Sequence, residues 1–211
     1  MRRLDLSLYA ITDKRYWKDR KMSDLVEAAL KGGVTSLQLR DKEADTATLI
    51  EEGLALRTLT AQYNVPLIIN DRIDVALEVD ADGVHLGQQD ASPEEARSIL
   101  GMSKIIGISV HNLTQASEAL ELPVDYLGVG SVYASGTEQR EVIGIDRLEK
   151  ICKTVSLPVA AIGGITPSRV EEVLKTGASG VAVIAGIWEA EDVEGRVQEY
   201  VSRLEAARRS R

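Results

Sequence analysis

The chain has 211 residues, and 44% of them are hydrophobic, enough for a substantial core. Its 25 basic and 33 acidic side chains leave a net charge of −8, which repels phosphate backbones and argues against a nucleic-acid partner. The single Cys cannot close an internal disulfide, no apolar run approaches the roughly 20 residues of a membrane helix, and the start, MRRLDLSLYAITD, lacks a signal-peptide apolar region, so a cytoplasmic protein with no membrane partner is expected.

Phe is absent, so Leu, Val, Ile and Ala must build the core, which suits branched side chains packed between helices and a parallel sheet. Short apolar runs recur along the chain at Leu8–Ile11, Ser36–Leu39, Pro66–Ile69, Gly83–Leu86, Ile105–Val110, Tyr126–Val129, Pro158–Ile162 and Val181–Ile184. Between them the helical period predicts Met22–Lys31, Thr46–Tyr63, Ser92–Leu100, Thr114–Glu121, Ile145–Val155, Pro167–Thr176 and Val193–Arg208. The crossover Asp71–Asp80 is short but helix-compatible. Strands alternating with helices imply parallel βαβ units, and eight such units close into a single-domain (β/α)8 barrel over residues 1–211. A doubly wound sheet is the alternative, but strand one runs into Thr12-Asp13-Lys14 rather than a glycine fingerprint. Ser23 and Thr166-Pro167 read as helix starts, as does Ser92 with Glu95 in a capping box. The basic tail Arg203–Arg211 is expected to fray.

Active sites in such barrels sit at the C-terminal ends of the strands, so the residues following each run are the candidates. Asp71 and Asp90 end neighbouring strands; they either converge on a divalent cation such as Mg²⁺ or serve locally as a helix cap and a turn. Arg40 and Lys42 leave strand two on either side of Asp41, either to hold phosphate or as a solvated pair. Gly163-Gly164 and Ile184-Ala185-Gly186 offer backbone amides to an anion, or simply make tight turns. His85 sits within strand four as a satisfied interior residue or a base, and His111 follows a strand end where it can line the mouth. Cys152 lies in an apolar helical stripe, and Trp17 and Trp188 read as anchors of mouth loops. No zinc spacing, Walker loop or serine elbow is present.

The ordered segments YAITD, QLRDK, NDRIDVAL, DGVHLGQQD, GISVH, AIGGI and VIAGI resemble thiamine phosphate synthase, over residues 8–200. The resemblance implies a (β/α)8 barrel that joins 4-amino-5-hydroxymethyl-2-methylpyrimidine diphosphate to a thiazole phosphate and releases diphosphate. Carried over motif by motif, Gln38, Leu39, Arg40, Asp41, Lys42 and Asn70 would hold the pyrimidine diphosphate, and Ser109 the pyrimidine. Asp71 and Asp90 would bind Mg²⁺. Ser135, Gly136, Thr137, Gly164, Ile184 and Ala185 would hold the thiazole phosphate, and Arg40, Lys42, Ser109 and Arg140 would be catalytic. Small phosphorylated substrates are the implied partners, with a homodimer as the assembly to test. The departure follows strand six. The family usually reads G-P-[IV]-[FY]-x-T-x-T-K, whereas this chain reads Gly130-Ser131-Val132-Tyr133-Ala134-Ser135-Gly136-Thr137-Glu138. Glu138 stands at the lysine position, with Arg140 two residues on as a substitute. A thiazole tautomerase, whose branch lacks the acidic pair, and a non-catalytic barrel that binds thiamine precursors are the competing readings.

Overall fold

The computed structural model describes residues 4–136 and 141–209. Eight parallel strands, β1 (Leu8–Ile11), β2 (Ser36–Leu39), β3 (Leu67–Asn70), β4 (Gly83–Leu86), β5 (Ile105–Val110), β6 (Tyr126–Val129), β7 (Val159–Ile162) and β8 (Gly180–Val183), pair in sequence order. β8 returns to β1, with Tyr9 opposite Ala182, and closes the barrel. The expected strands therefore form within a residue or so of their predicted bounds. Pro66 and Pro158 fall outside because proline has no N–H for the ladder; their carbonyls instead accept from Leu37 N (3.1 Å) and Leu127 N (2.9 Å).

The crossovers carry α1 (Met22–Gly32), α2 (Thr46–Gln62), α3 (Ile73–Glu78), α4 (Pro93–Leu100), α5 (Leu113–Glu118), α6 (Gly144–Thr154), α7 (Val170–Lys175), α8 (Ala185–Trp188) and α9 (Val193–Arg209). Strand pleating splits the core in two. Leu8 and Ala10 face the layer beneath the helices, while Tyr9 and Ile11 face inward with Ile68, Ile105, Tyr126, Ala160 and Ala182. A strand buried on both faces tolerates few polar residues, which is why the runs read as almost continuously apolar.

Local chemistry departs from expectation at several helix ends. The chain enters α1 at Lys21, so Ser23 is already inside the first turn and its hydroxyl bonds Asp24 Oδ1 rather than a backbone amide. Thr166 precedes a 3₁₀ turn at Pro167–Arg169, but its Oγ1 meets Ser168 Oγ at 2.9 Å and makes no cap bond. Ser92 does cap α4, accepting from Glu95 N at 3.2 Å. The tail does not fray over its described length. α9 continues to Arg209 because Val193, Val197, Tyr200, Leu204 and Ala207 form a buried stripe, and Arg208 Nη2 donates to Ser7 Oγ at 2.6 Å. Trp188 lies in α8 rather than a loop; it is wholly buried, and its Nε1 donates to Ile11 O at 2.5 Å, tying the last crossover to β1. Among the described residues no helix is long and apolar enough to cross a membrane.

Candidate active site

A cavity of about 680 Å³ opens at the C-terminal ends of the strands, within the size range of small-ligand sites. Gln38, Arg40 and Lys42 reach it from β2, Asn70 and Asp71 from β3, Asp90 from the loop after β4, and Ser109 and His111 from β5. Strand pleat and loop geometry divide the β2 segment. Leu39 points the other way, into the core beneath the helices. The Asp41 carboxylate turns to Lys14 Nζ (2.9 Å) and accepts from Glu43 N (2.9 Å) and Ala44 N (3.2 Å). Burial pushes that carboxyl up, but Lys14 and the two amides outweigh it and hold it below the usual carboxylate range. Asp41 therefore shapes the loop that carries Lys42.

Arg40 is anchored from behind. Its backbone N donates to Thr12 Oγ1 at 2.8 Å, and Nη1 lies 3.3 Å from Asp13 Oδ2. Burial raises the Asp13 carboxyl, yet its bonds to Arg15 and the Arg40 charge leave it lowered and ionised. A guanidinium held this way presents a fixed fork to the cavity, the geometry that suits phosphate oxygens.

The two aspartates converge. Burial pushes Asp71 up to about 6, and contact with Asp90 adds to the shift through a hydrogen bond and charge, partly offset by Lys42 and Asn70. Asp71 adopts left-handed backbone (φ 61°), with its N donating to His85 O at 2.8 Å. The helix-cap alternative is excluded, because Arg72 occupies the N-cap of α3 and makes no side-chain cap bond. Asp90 does close a turn, with Oδ2 accepting from Gly87 N at 2.6 Å, and it faces Asp71 as well. Two carboxylates brought together at a partly buried site repel each other unless they share a proton or a cation. No cluster of three or more potential metal ligands occurs among the described residues. A pair of carboxylates matches how Mg²⁺ is commonly held, with waters and substrate phosphate completing the shell. The donor set thus fits the ion.

His85 is both interior and cavity-lining. Its Nδ1 meets Tyr126 Oη at 2.9 Å, and its Nε2 meets Ser109 Oγ at 3.0 Å. Tyr126 Oη meets Tyr9 Oη at 2.9 Å, and Gln38 Nε2 donates to Tyr9 Oη at 2.7 Å. Gly107 makes room for this array: a Cβ there would lie 2.2 Å from Tyr126 Cζ and 2.5 Å from His85 Nδ1. Tyr9 and Tyr126 read in the sequence as ordinary strand residues; Gly107, the strand partner of Tyr126, was the available signal. His111 Nδ1 bonds Gly130 O at 2.7 Å.

The opposite wall comes from β6 to β8. Ser131, standing where the family has proline, follows a cis peptide bond to Gly130 and donates its Oγ to Tyr133 O at 2.8 Å. Gly163, Ile184 and Ser135 line the cavity, whereas Gly136, Gly164 and Ala185 do not border it directly. Gly164 has φ 61°, and a Cβ there would lie 2.5 Å from Ala134 O, so this glycine holds the β6 and β7 loops together. Its carbonyl accepts from Arg169 Nη1 at 2.6 Å. Trp17 packs partly buried at the rim of the outer core, and Cys152 packs against that core as expected. Thr137, Glu138 and Arg140 lie outside the described residues.

The profile of the thiamine monophosphate synthase family matches residues 8–187. The chain is 42% identical over 199 residues to thiamine-phosphate synthase of Clostridium acetobutylicum, covering 94% of each chain. It is 43% identical over 192 residues to thiamine-phosphate synthase 1 of Aquifex aeolicus, covering 90% of this chain and 89% of the other. Among solved structures, thiamine phosphate pyrophosphorylase from Pyrococcus furiosus superimposes with a TM-score of 0.89 at 44% identity, covering 96% of each chain. With the mouth and its acidic pair built as described, these matches over nearly the whole length establish that the chain belongs to the thiamine monophosphate synthase family.

Proposed function

We propose that the cavity joins 4-amino-5-hydroxymethyl-2-methylpyrimidine diphosphate to 4-methyl-5-(2-hydroxyethyl)thiazole phosphate, giving thiamine phosphate and diphosphate. The observation that carries this reading is the Asp71–Asp90 pair facing Arg40 and Lys42 in one cavity. That arrangement suits a diphosphate, because cations and a metal-binding pair together balance several negative charges. Asp71 and Asp90 would hold Mg²⁺, which when bound neutralises charge on the departing diphosphate oxygens.

The reaction is a dissociative displacement. The bond from the pyrimidine methylene carbon to the diphosphate oxygen breaks, and its electron pair leaves with diphosphate. The exocyclic amine stabilises the methylene cation, so no protein nucleophile is needed, and the thiazole nitrogen lone pair then forms the new C–N bond. Arg40 and Lys42 bind the diphosphate with Gln38 and Asn70 beside them, and Ser109 contacts the pyrimidine ring. Ser135, with the backbone at Gly163 and Ile184, takes the thiazole phosphate. Arg140, two residues after the Glu138 that stands at the family's lysine position, would supply the positive charge which that lysine gives.

The test is diphosphate release with Mg²⁺ and both substrates. Asp71→Asn and Asp90→Asn should each cut kcat strongly while the barrel stays folded. Near-parental release from both variants overturns the metal assignment. Isomerisation of a carboxythiazole phosphate without diphosphate release identifies a tautomerase, and binding of precursors with neither reaction identifies a non-catalytic barrel.

A further inference from the structure

We infer that Tyr9, Tyr126 and His85 form a directional hydrogen-bond relay across the barrel floor, which ties the Gln38 amide on β2 to the Ser109 hydroxyl on β5 and fixes Ser109 as a donor toward the ligand. The chain of contacts is continuous: Gln38 Nε2 to Tyr9 Oη at 2.7 Å, Tyr9 Oη to Tyr126 Oη at 2.9 Å, Tyr126 Oη to His85 Nδ1 at 2.9 Å, and His85 Nε2 to Ser109 Oγ at 3.0 Å. Tyr9 and Tyr126 are fully buried, so neither hydroxyl can turn to water.

Proton counting sets the direction. Among the described residues, the Tyr9 hydroxyl meets the Gln38 amide and the Tyr126 hydroxyl and no other polar side chain. It accepts from Gln38 Nε2, so its own hydrogen must go to Tyr126, or it is buried without an acceptor at considerable cost. Tyr126, having accepted from Tyr9, gives its hydrogen to His85 Nδ1. The imidazole proton therefore sits on Nε2 and is donated to Ser109 Oγ. Ser109 has accepted one bond, and its own hydrogen remains for the ligand. The ligand atom against Ser109 is then a lone-pair acceptor, such as a ring nitrogen, and not an N–H.

The order reverses only as a whole. If the group at Gln38 accepts from Tyr9, then Tyr9 accepts from Tyr126, Tyr126 from His85 Nδ1–H, and His85 Nε2 from Ser109. The serine hydrogen is then turned away from the cavity. Tyr9, Tyr126 and His85 are in this sense positioning residues that act through Ser109. The packing around them agrees with a built array: a Cβ at Gly107 would collide with both Tyr126 and His85, and one at Gly128 would lie 2.9 Å from His85 Cε1.

The direction is testable by ¹⁵N NMR of His85, which distinguishes the two imidazole tautomers and needs no substrate. The parent should carry the proton on Nε2. Gln38→Glu puts an acceptor-only carboxylate at the head of the relay at neutral pH and above. It should move the His85 proton to Nδ1, three hydrogen bonds away. Tyr126→Phe keeps the ring but cuts the relay, and in that background Gln38→Glu should no longer change the tautomer. An Nδ1–H tautomer in the parent, no change with Gln38→Glu, or a change that survives Tyr126→Phe would each overturn the inference. The kinetic arm rests on the proposed synthase reaction. Tyr126→Phe should lower kcat/KM for the pyrimidine diphosphate about tenfold, and add almost nothing to Ser109→Ala. Full additivity of the two substitutions means that Tyr126 acts only on stability. Failure of diphosphate release in the parent would sink the synthase reading while leaving the tautomer result intact.

Discussion

Replacing Asp71 with Asn should make the metal-free protein more stable at alkaline pH while crippling it as an enzyme. In the folded chain the Asp71 carboxyl is pushed up to about 6 from its ordinary value of 3.8, first by burial and then by Asp90. A folded value above the unfolded one means that the native state binds more protons between the two. The stabilising contribution is present below about 4 and is lost as pH rises through about 6. A shift of about two units corresponds to ~3 kcal/mol before screening, and the partial solvent exposure of Asp71 reduces it to ~1–2 kcal/mol. Asn keeps the size, tolerates the left-handed backbone and carries no charge. The variant should therefore melt several degrees above the parent at pH 8 in the presence of chelator, and the gain should disappear near pH 4. Circular dichroism melts at the two pH values measure this directly. Mg²⁺ should raise the parent's Tm at pH 8 and leave the variant's unchanged. A variant less stable than the parent at pH 8, or a stability difference independent of pH, would refute the convergent carboxylate pair.

Gly164→Ala should cost about 1–3 kcal/mol in a denaturant titration, since it forces a side chain into left-handed backbone and against Ala134 O. It should therefore disturb both substrates' KM rather than that of the thiazole phosphate alone. Ser92→Ala should lower stability by about 1 kcal/mol through loss of the α4 cap, with diphosphate release unchanged. Arg40→Lys keeps the charge but loses the planar fork braced by Asp13, so KM for the pyrimidine diphosphate should rise about tenfold or more. In the β6 loop, Arg140→Ala should reduce diphosphate release and Glu138→Lys should gain little; a silent Arg140→Ala with a many-fold gain from Glu138→Lys would show that this loop is degenerate.

Strand positions, the barrel and most of the mouth were legible in the chain itself, because each rests on short-range physics. Apolar runs such as Leu8–Ile11 and Tyr126–Val129 must be buried on both faces, and residues following such runs, such as Asp71 and His111, must emerge at one end. Side-chain direction was only partly legible. Arg40 and Lys42 point into the cavity as alternation predicts, but Leu39 and Asp41 do not, since the pleat and the Lys14 contact turn them elsewhere. Ser23 failed as a cap because the entry point of a helix depends on where the preceding loop delivers the chain. The ordered tail was decided by docking: α9 exists to Arg209 because α1 and α7 offer an apolar surface for its stripe. The relay from Gln38 to Ser109 was decided furthest from the sequence. Tyr9 and Tyr126 lie 117 residues apart on strands that are not neighbours, and their hydroxyls meet only once closure of β8 on β1 sets the barrel's diameter. Pairing of β3 with β4 brings Asp71 and Asp90 together, so the raised carboxyl is a property of the folded mouth and not of either aspartate alone.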